Sequence, residues 1–273
     1  MPTIWQQLGA YIINTGDVDE NRLRRFHDVG GRWAVPVLLG DQSRGPINLA
    51  ELPEFKEKCK RQGIRCGGWF NGWGEPAGEL AAVFAKCATD NRLTPLILDL
   101  EFAYKEGTGS AAKMPELLAE LRRLMPKRLM AVTSFGFLDR AMIWNGRTLI
   151  PARSFYDLKI RFSPQWYTQY DSKYAPDWCM EDLKLNGPLD GNIRDDSAPG
   201  KRGVPLPYVH GALECTGMDA VNGTAADLSK TLAQLRAAKA HGFTYGFQIY
   251  TLENVQGADW DLLAAERNKL FLV

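Results

Sequence analysis

An α/β fold of the (β/α)8 TIM-barrel type is the fold class this sequence predicts, and three observations predict it. Apolar, strand-like runs alternate with amphipathic helical runs along most of the chain, which implies parallel strands joined by helical crossovers. Eight such strand-like runs occur, the number that closes a parallel barrel. The length of 273 residues lies close to the ~250 residues typical of that fold. No linker or low-complexity tract interrupts the rhythm, so residues 1–273 are expected to form a single barrel domain. A doubly wound open sheet is the competing architecture, but no GxGxxG follows the first strand and no P-loop motif occurs.

Taken in chain order, the strands are expected near 8–14, 33–39, 64–71 and 95–102, then near 128–135, 164–170, 205–214 and 245–252. Helices are expected at 19–30, 51–62, 77–90, 113–125, 224–241 and 259–270. Within 224–241, Ala225, Leu228, Leu232 and Leu235 recur at helical spacing while Asp227 and Lys230 face away. Asp17 reads as a cap for the first helical region, and Asp259 as the cap of the last helix, whose apolar set includes Leu262, Leu263 and Leu270. These stripes are read as the outer shell of the barrel. The rhythm breaks once: residues 186–203, between the sixth and seventh strands, are rich in Gly, Pro and Asp and have no helical period. A loop of that length in a compact domain is either a wall of the functional cleft or a decorated connection.

Bulk properties narrow the function. Hydrophobic residues make up 45% and charged residues 24%, which describes a globular chain. A net charge of +1 gives no support for a nucleic-acid partner, and no apolar run is long enough for a membrane span. The opening Met-Pro-Thr-Ile-Trp lacks the basic and apolar regions of a secretory signal, so the chain is expected to be cytoplasmic on synthesis. Five cysteines at 59, 66, 87, 179 and 215 show no CxxC spacing, and the three histidines at 27, 210 and 241 are scattered. Buried thiols, no metal and no cofactor are the expectation.

The most specific segment is Pro95-Leu-Ile-Leu-Asp-Leu-Glu-Phe102. Alternation puts Asp99 and Glu101 on one face and Leu98, Leu100 and Phe102 on the other. An apolar strand has no packing reason to carry two neighbouring acids, whereas cleavage of a glycosidic bond needs two carboxyl groups, one protonated and one charged. Barrel enzymes draw their functional groups from the C-terminal ends of several strands. Those ends carry Asn14 on the first strand, Trp69, Asn71 and Trp73 on the third, and Tyr104 after the acids of the fourth. Ser134 and Phe135 end the fifth; Gln165, Tyr167 and Gln169 share a face of the sixth, before Asp171. His210, Ala212 and Glu214 share a face of the seventh, and Gln248 and Tyr250 a face of the eighth, before Glu253 and Asn254. Aromatic rings can stack on the apolar faces of sugars while amides and carboxylates bond hydroxyls. An esterase built on Ser134 and His210 lacks the GxSxG elbow. Glu214-Cys-Thr-Gly217 is the one segment that resembles a phosphate loop of a metabolic barrel.

Leu98-Asp-Leu-Glu101 resembles the Asp-x-Glu of TIM-barrel glycoside hydrolases, in particular family-25 lysozymes and family-18 chitinases. Gln165-Trp-Tyr-Thr-Gln-Tyr-Asp171 and Gly246-Phe-Gln-Ile-Tyr250 are similar to the sixth and eighth strands of such barrels. The chitinase pattern has a further acid two residues before the Asp, where this chain has Ile97, and the family-25 pattern has an Asp in the first strand, where this chain has Asn14. Glu214 is similar to the strand-seven nucleophile of barrels that place their acid on strand four. The resemblance implies a glycosidase acting on a cell-wall or surface polysaccharide, of the peptidoglycan or chitin-like kind. Glu101 would be the general acid, its pKa raised by partial burial beside Asp99. Asp99 would stay ionised, stabilising positive charge or, with Tyr167, orienting an acetamido group. Glu214 is the alternative nucleophile; a Glu101–Glu214 separation of roughly 5–5.5 Å would indicate retention and about 6.5–9.5 Å inversion. Asn14, Trp69, Asn71, Trp73, Tyr104, Gln165, Tyr167, Gln248 and Tyr250 would bind the saccharide. Barrels of this kind also occur in bacteriophage tail proteins, which implies an alternative: a non-catalytic carbohydrate-binding or structural barrel associated with other virion tail proteins.

Overall fold

The computed structural model describes residues 4–39, 47–72, 76–100, 110–135, 143–144, 147–148, 157–166, 212–214 and 246–269, with single positions at 154, 228, 229, 232, 233 and 236. Its strands are β1 (Leu8–Ile12), β2 (Gly31–Leu39), β3 (Gly68–Gly72), β4 (Leu96–Leu100), β5 (Met130–Phe135), β6 (Arg161–Trp166), β7 (Ala212–Glu214) and β8 (Gln248–Tyr250). Each pairs in parallel with the next, and β1 pairs with both β2 and β8, so the sheet closes on itself. The helices are α1 (Glu20–Asp28), α2 (Leu52–Arg61), α3 (Ala77–Asp90), α4 (Ser110–Leu124) and α5 (Asp259–Glu266). The architecture is the expected parallel α/β barrel.

Alternation along the strands divides the core in two. Side chains facing outward, among them Leu96, Leu98, Leu100 and Val132, pack under the helices with Phe84, Leu117 and Leu121. Phe70 of β3 stacks on Phe84 of α3 at 4.9 Å between ring centroids. Side chains facing inward, Tyr11, Trp33, Val35, Val37, Trp69, Ile97 and Ala131, fill the barrel with Ile4 and Trp5. Strands buried on both faces read as continuous apolar runs, which is why β1 is buried at every residue. The base is plugged by Trp33, whose Nε1 donates to Ile4 O at 3.0 Å and whose ring meets Trp5 edge-on. A glycine at position 9 is required there: a Cβ would stand 2.2 Å from the Trp33 ring.

The element boundaries differ from the sequence expectation in ways with local causes. The expected third strand, 64–71, is split into a two-residue bridge at Arg65–Cys66 and β3 proper. Gly67 separates them because it presses against β4, where an added Cβ would lie 2.1 Å from Pro95 O. β1 ends at Ile12, since Asn14 leaves the sheet to cap a short 3-10 turn over Thr15–Asp17. The cap of α1 is Asp19, which accepts from Arg22 N at 2.7 Å; Asp17 instead accepts from Asn14 Nδ2. Asp259 is the first residue of α5 rather than its cap, and its carboxylate accepts from Gln256 N in the preceding turn. Leu228 and Leu232 are helical and buried as expected. A small antiparallel pair, Ile143–Trp144 with Arg147–Thr148, was not among the expected strands, although Asn145-Gly146 between them in the sequence is a dipeptide characteristic of two-residue hairpin connections. The 186–203 segment and Leu270 lie outside the described residues. Among the described residues, no helix is long and apolar enough to cross a membrane.

Candidate active site

Parallel closure sends every strand the same way, so the C-terminal ends of the strands converge on one mouth. Strand register sets the heights of the side chains there. Asp99 on β4 stands opposite Asn71 on β3 and Thr133 on β5, and Thr133 stands opposite Ser163 on β6. On the other side Glu214 of β7 pairs with Tyr250 of β8, one step above the Ala212–Gln248 pair. Asp99 shares its face with Ile97, which belongs to the inner cluster, while Leu98 and Leu100 belong to the outer one. The carboxylate thus lies on the inner face, as alternation predicts.

Three aromatic rings form one wall of this mouth. Tyr11 meets Trp69 at 5.1 Å and Tyr250 at 5.6 Å, and Trp69 meets Tyr250 at 5.8 Å, all edge-on. Such pairs favour T-shaped geometry because ring edges are positive and faces negative. Beside them runs a polar row: Thr133 Oγ1 donates to Ser163 O at 3.0 Å, and Ser163 Oγ donates to Gln248 Oε1 at 2.9 Å. Burial pushes the Tyr11 phenol well above its ordinary range; the nearby Asp99 charge adds to this, against the lowering pull of the Thr133 and Ser163 hydroxyls. Those neighbours surround the Tyr11 hydroxyl without reaching it in hydrogen-bonding geometry, and Trp69 Nε1, Asn71 Oδ1 and Gln248 Nε2 are also buried without a partner among the described residues. Buried polar groups in folded proteins are almost always bonded to protein or water. Several unsatisfied ones around one carboxylate mark a place where a polar ligand or ordered water can sit.

The seam between β8 and β1 is fastened at the mouth by Glu253. Its Oε1 accepts from Ile13 N at 2.5 Å and Asn14 N at 2.8 Å. Burial raises the Glu253 pKa above its ordinary value of 4.5, against the lowering effect of those backbone donors. Arg22 holds the same turn from the outside, with Nη1 donating to the carbonyls of Leu252, Glu253 and Val255.

The expected binding residues divide accordingly. Asp99, Asn71, Trp69 and Tyr250 meet at the mouth. Trp69 is only 5% exposed, so it forms wall rather than an open stacking platform. Gln248 is fully buried and engaged with Ser163, which makes it a support beneath the mouth rather than a surface contact. Gln165 is likewise buried. Asn14 is exposed on the rim with both ends of its amide engaged, accepting from Gly16 N and donating to Asp17. Glu101, Trp73, Tyr104 and Tyr167 lie outside the described residues, as do Gln169, Asp171 and His210; Glu214 is described by its backbone pairing alone. Tyr11, Thr133, Ser163 and the fastening role of Glu253 were not anticipated. Alternation identifies Tyr11 from Gly9, Thr133 from Ala131 and Ser163 from Gln165, but only when strands are read along their length as well as at their ends. Among the described residues, no group of three or more His, Cys, Asp or Glu side chains is placed to hold a metal.

No protein-family model matches the sequence, and no curated protein matches it either. Solved structures do match in fold. The barrel is shared with chitinases and mannanases. A GH18 chitinase from Pseudoalteromonas aurantia superposes with a TM-score of 0.67 over 96% of this chain and 99% of its own, at 14% identity. A class V chitinase from Nicotiana tobaccum, solved in complex with NAG4, gives 0.65 over 97% and 99% at 13% identity. A β-mannanase from Streptomyces thermolilacinus, solved with mannohexaose, gives 0.59 over 96% and 88% at 16% identity.

Proposed function

We propose that this chain is a glycoside hydrolase acting on a chitin-like or peptidoglycan polysaccharide, with its whole length serving as one barrel unit. The observation that carries the reading is the inward carboxylate of Asp99 at the end of β4, beside an aromatic wall and unsatisfied buried polar groups. The fold similarity to chitinases and mannanases supports it. In this mechanism Glu101, two residues after Asp99 in the sequence, protonates the leaving oxygen. Asp99 stays charged and stabilises the developing positive charge or an acetamido group, with Tyr167 bonding the same group. Glu214, level with Tyr250, is the alternative nucleophile. Asn71, Trp69 and Tyr250, with Trp73 and Tyr104, line the saccharide path.

The test is reducing-end release from chitin oligosaccharides, peptidoglycan and mannan. Glu101→Gln should lower the rate by about 10²–10⁴-fold, the usual worth of a general acid, with saccharide binding retained. An unchanged rate would remove Glu101 from the mechanism. A second reading, a barrel that binds a polymer without cutting it, as in a phage tail, draws on Ile97. This residue is fully buried in the inner apolar cluster with Trp33 and Trp69, where the chitinase pattern has an acid. Saturable binding of polymer by the unaltered protein, with no product, would decide for that reading and against hydrolysis.

A further inference from the structure

Outside the barrel mouth, a polar cleft of about 280 Å³ opens between the flank of α1 and the turn that leads from β8 into α5. Its walls include Asp19, Arg22, Arg25, Gln256, Gly257 and Trp260. Trp260 is buried, and the Arg25 guanidinium lies over its ring at 4.7 Å from the centroid. A guanidinium held over a ring face in this way is attracted to the ring and still has N–H groups to offer an acceptor. Among the described residues, no acceptor is hydrogen-bonded to the Arg25 guanidinium. Arg22, by contrast, is anchored by Nη1 on three carbonyls and brings a second positive charge to the same wall. The one carboxylate of the wall, Asp19, is engaged as the cap of α1. At Gly257 a Cβ would meet no atom within 4 Å, so the wall is open on that side.

We propose that this cleft is a subsite for a carboxylate-bearing sugar, with Arg25 as the fork that grips the carboxylate. Arg25 supplies the paired donors a carboxylate needs. The Gln256 amide and the Asp19 carboxylate supply partners for hydroxyls. Gln256 lies three residues after Glu253, which bonds the end of β1, so the cleft borders the outer side of the turn that fastens the β8–β1 seam. The carboxylate-bearing unit would sit outside the barrel, which favours an acidic polysaccharide over the neutral chitin-like kind. This rests on the polysaccharide reading above, but its test is a binding measurement that does not need turnover.

The experiment titrates the isotopically labelled full chain with D-glucuronate, D-glucose and inorganic phosphate, and follows the backbone amides of Gln256 and Gly257 by NMR. Glucuronate should shift both amides, and added salt should weaken it. Arg25→Gln, at an exposed position, should weaken binding by about ten-fold or more, given the strength of charge-assisted bidentate pairs. Lys86→Gln, which removes a cation elsewhere on the surface, should leave binding unchanged. The proposal is overturned if glucuronate leaves Gln256 and Gly257 unmoved, or if Arg25→Gln binds it as well as the parent. It is overturned equally if glucose binds as tightly, because charge then plays no part. Phosphate binding as tight as glucuronate would show a general oxyanion site and remove the sugar from the assignment. Loss of hydrolysis in Glu101→Gln with intact glucuronate binding would separate this site from the catalytic one. An active enzyme that ignores glucuronate would leave hydrolysis standing and the subsite refuted.

Discussion

Replacing Arg122 by Ala should destabilise the barrel without touching its mouth. Arg122 sits in the last turn of α4, at the opposite end of the barrel from the candidate site. Its guanidinium binds five backbone carbonyls: Nε to Leu158 O, Nη1 to Met125 O, Pro126 O and Arg128 O, and Nη2 to Lys159 O. These bonds tie the α4–β5 turn to the segment entering β6. Burial pulls the Arg122 pKa down, which is the cost of holding a cation there. Only the bonds to Leu158 O at 2.7 Å and Arg128 O at 2.8 Å are both short and partly buried. The other three are longer or exposed, and water replaces them. Two bonds to a charged donor at roughly 1.5 kcal/mol each give a loss of about 3 kcal/mol. For a domain of this size that corresponds to a fall in Tm of about 6–12 °C. Urea unfolding and calorimetry of the variant measure it, with saccharide binding as the control. A loss below about 1 kcal/mol would refute the assignment of a structural anchor, as would loss of binding in a variant of unchanged stability.

Other expectations follow from the same contacts. Gly9→Ala should destabilise by about 1–3 kcal/mol or prevent folding, because its methyl group overlaps the locked Trp33 ring; denaturant unfolding measures this, and parental stability would show that the plug can shift. Glu253 has a folded pKa above its ordinary 4.5, so the folded state holds the proton more tightly and stability falls as pH rises through the window from 4.5 upward. Glu253→Gln should remove that slope while keeping an oxygen for Ile13 N and Asn14 N. Identical pH–stability curves for parent and variant would show that the carboxyl is not the titrating group. Asp99→Asn should leave Tm within a few degrees and depress hydrolysis more than saccharide binding, judged by comparing kcat with KM. Equal turnover would exclude the charge from the chemistry.

Much of this molecule was legible in one dimension. Eight apolar runs in alternation with helical stripes announced the barrel, because a strand covered on both faces must be apolar throughout and a covering helix must be apolar on one side only. The period of two separated the face of Asp99 from that of Leu98 and Leu100, and closure of the sheet made the first of these the inner one. What the sequence could not disclose were relations between distant segments. The clash that requires Gly9 is with Trp33, and the break at Gly67 is with Pro95. The fastening of the seam joins Glu253 to Ile13 and Asn14 across some 240 positions of chain. Tyr11, Trp69 and Tyr250 come from three strands and become one wall only when β1 pairs with β8. Local pattern reports which face of a strand or helix is buried; ring closure, register and the heights of side chains around the mouth are properties of the assembled sheet, and there tertiary structure alone decides.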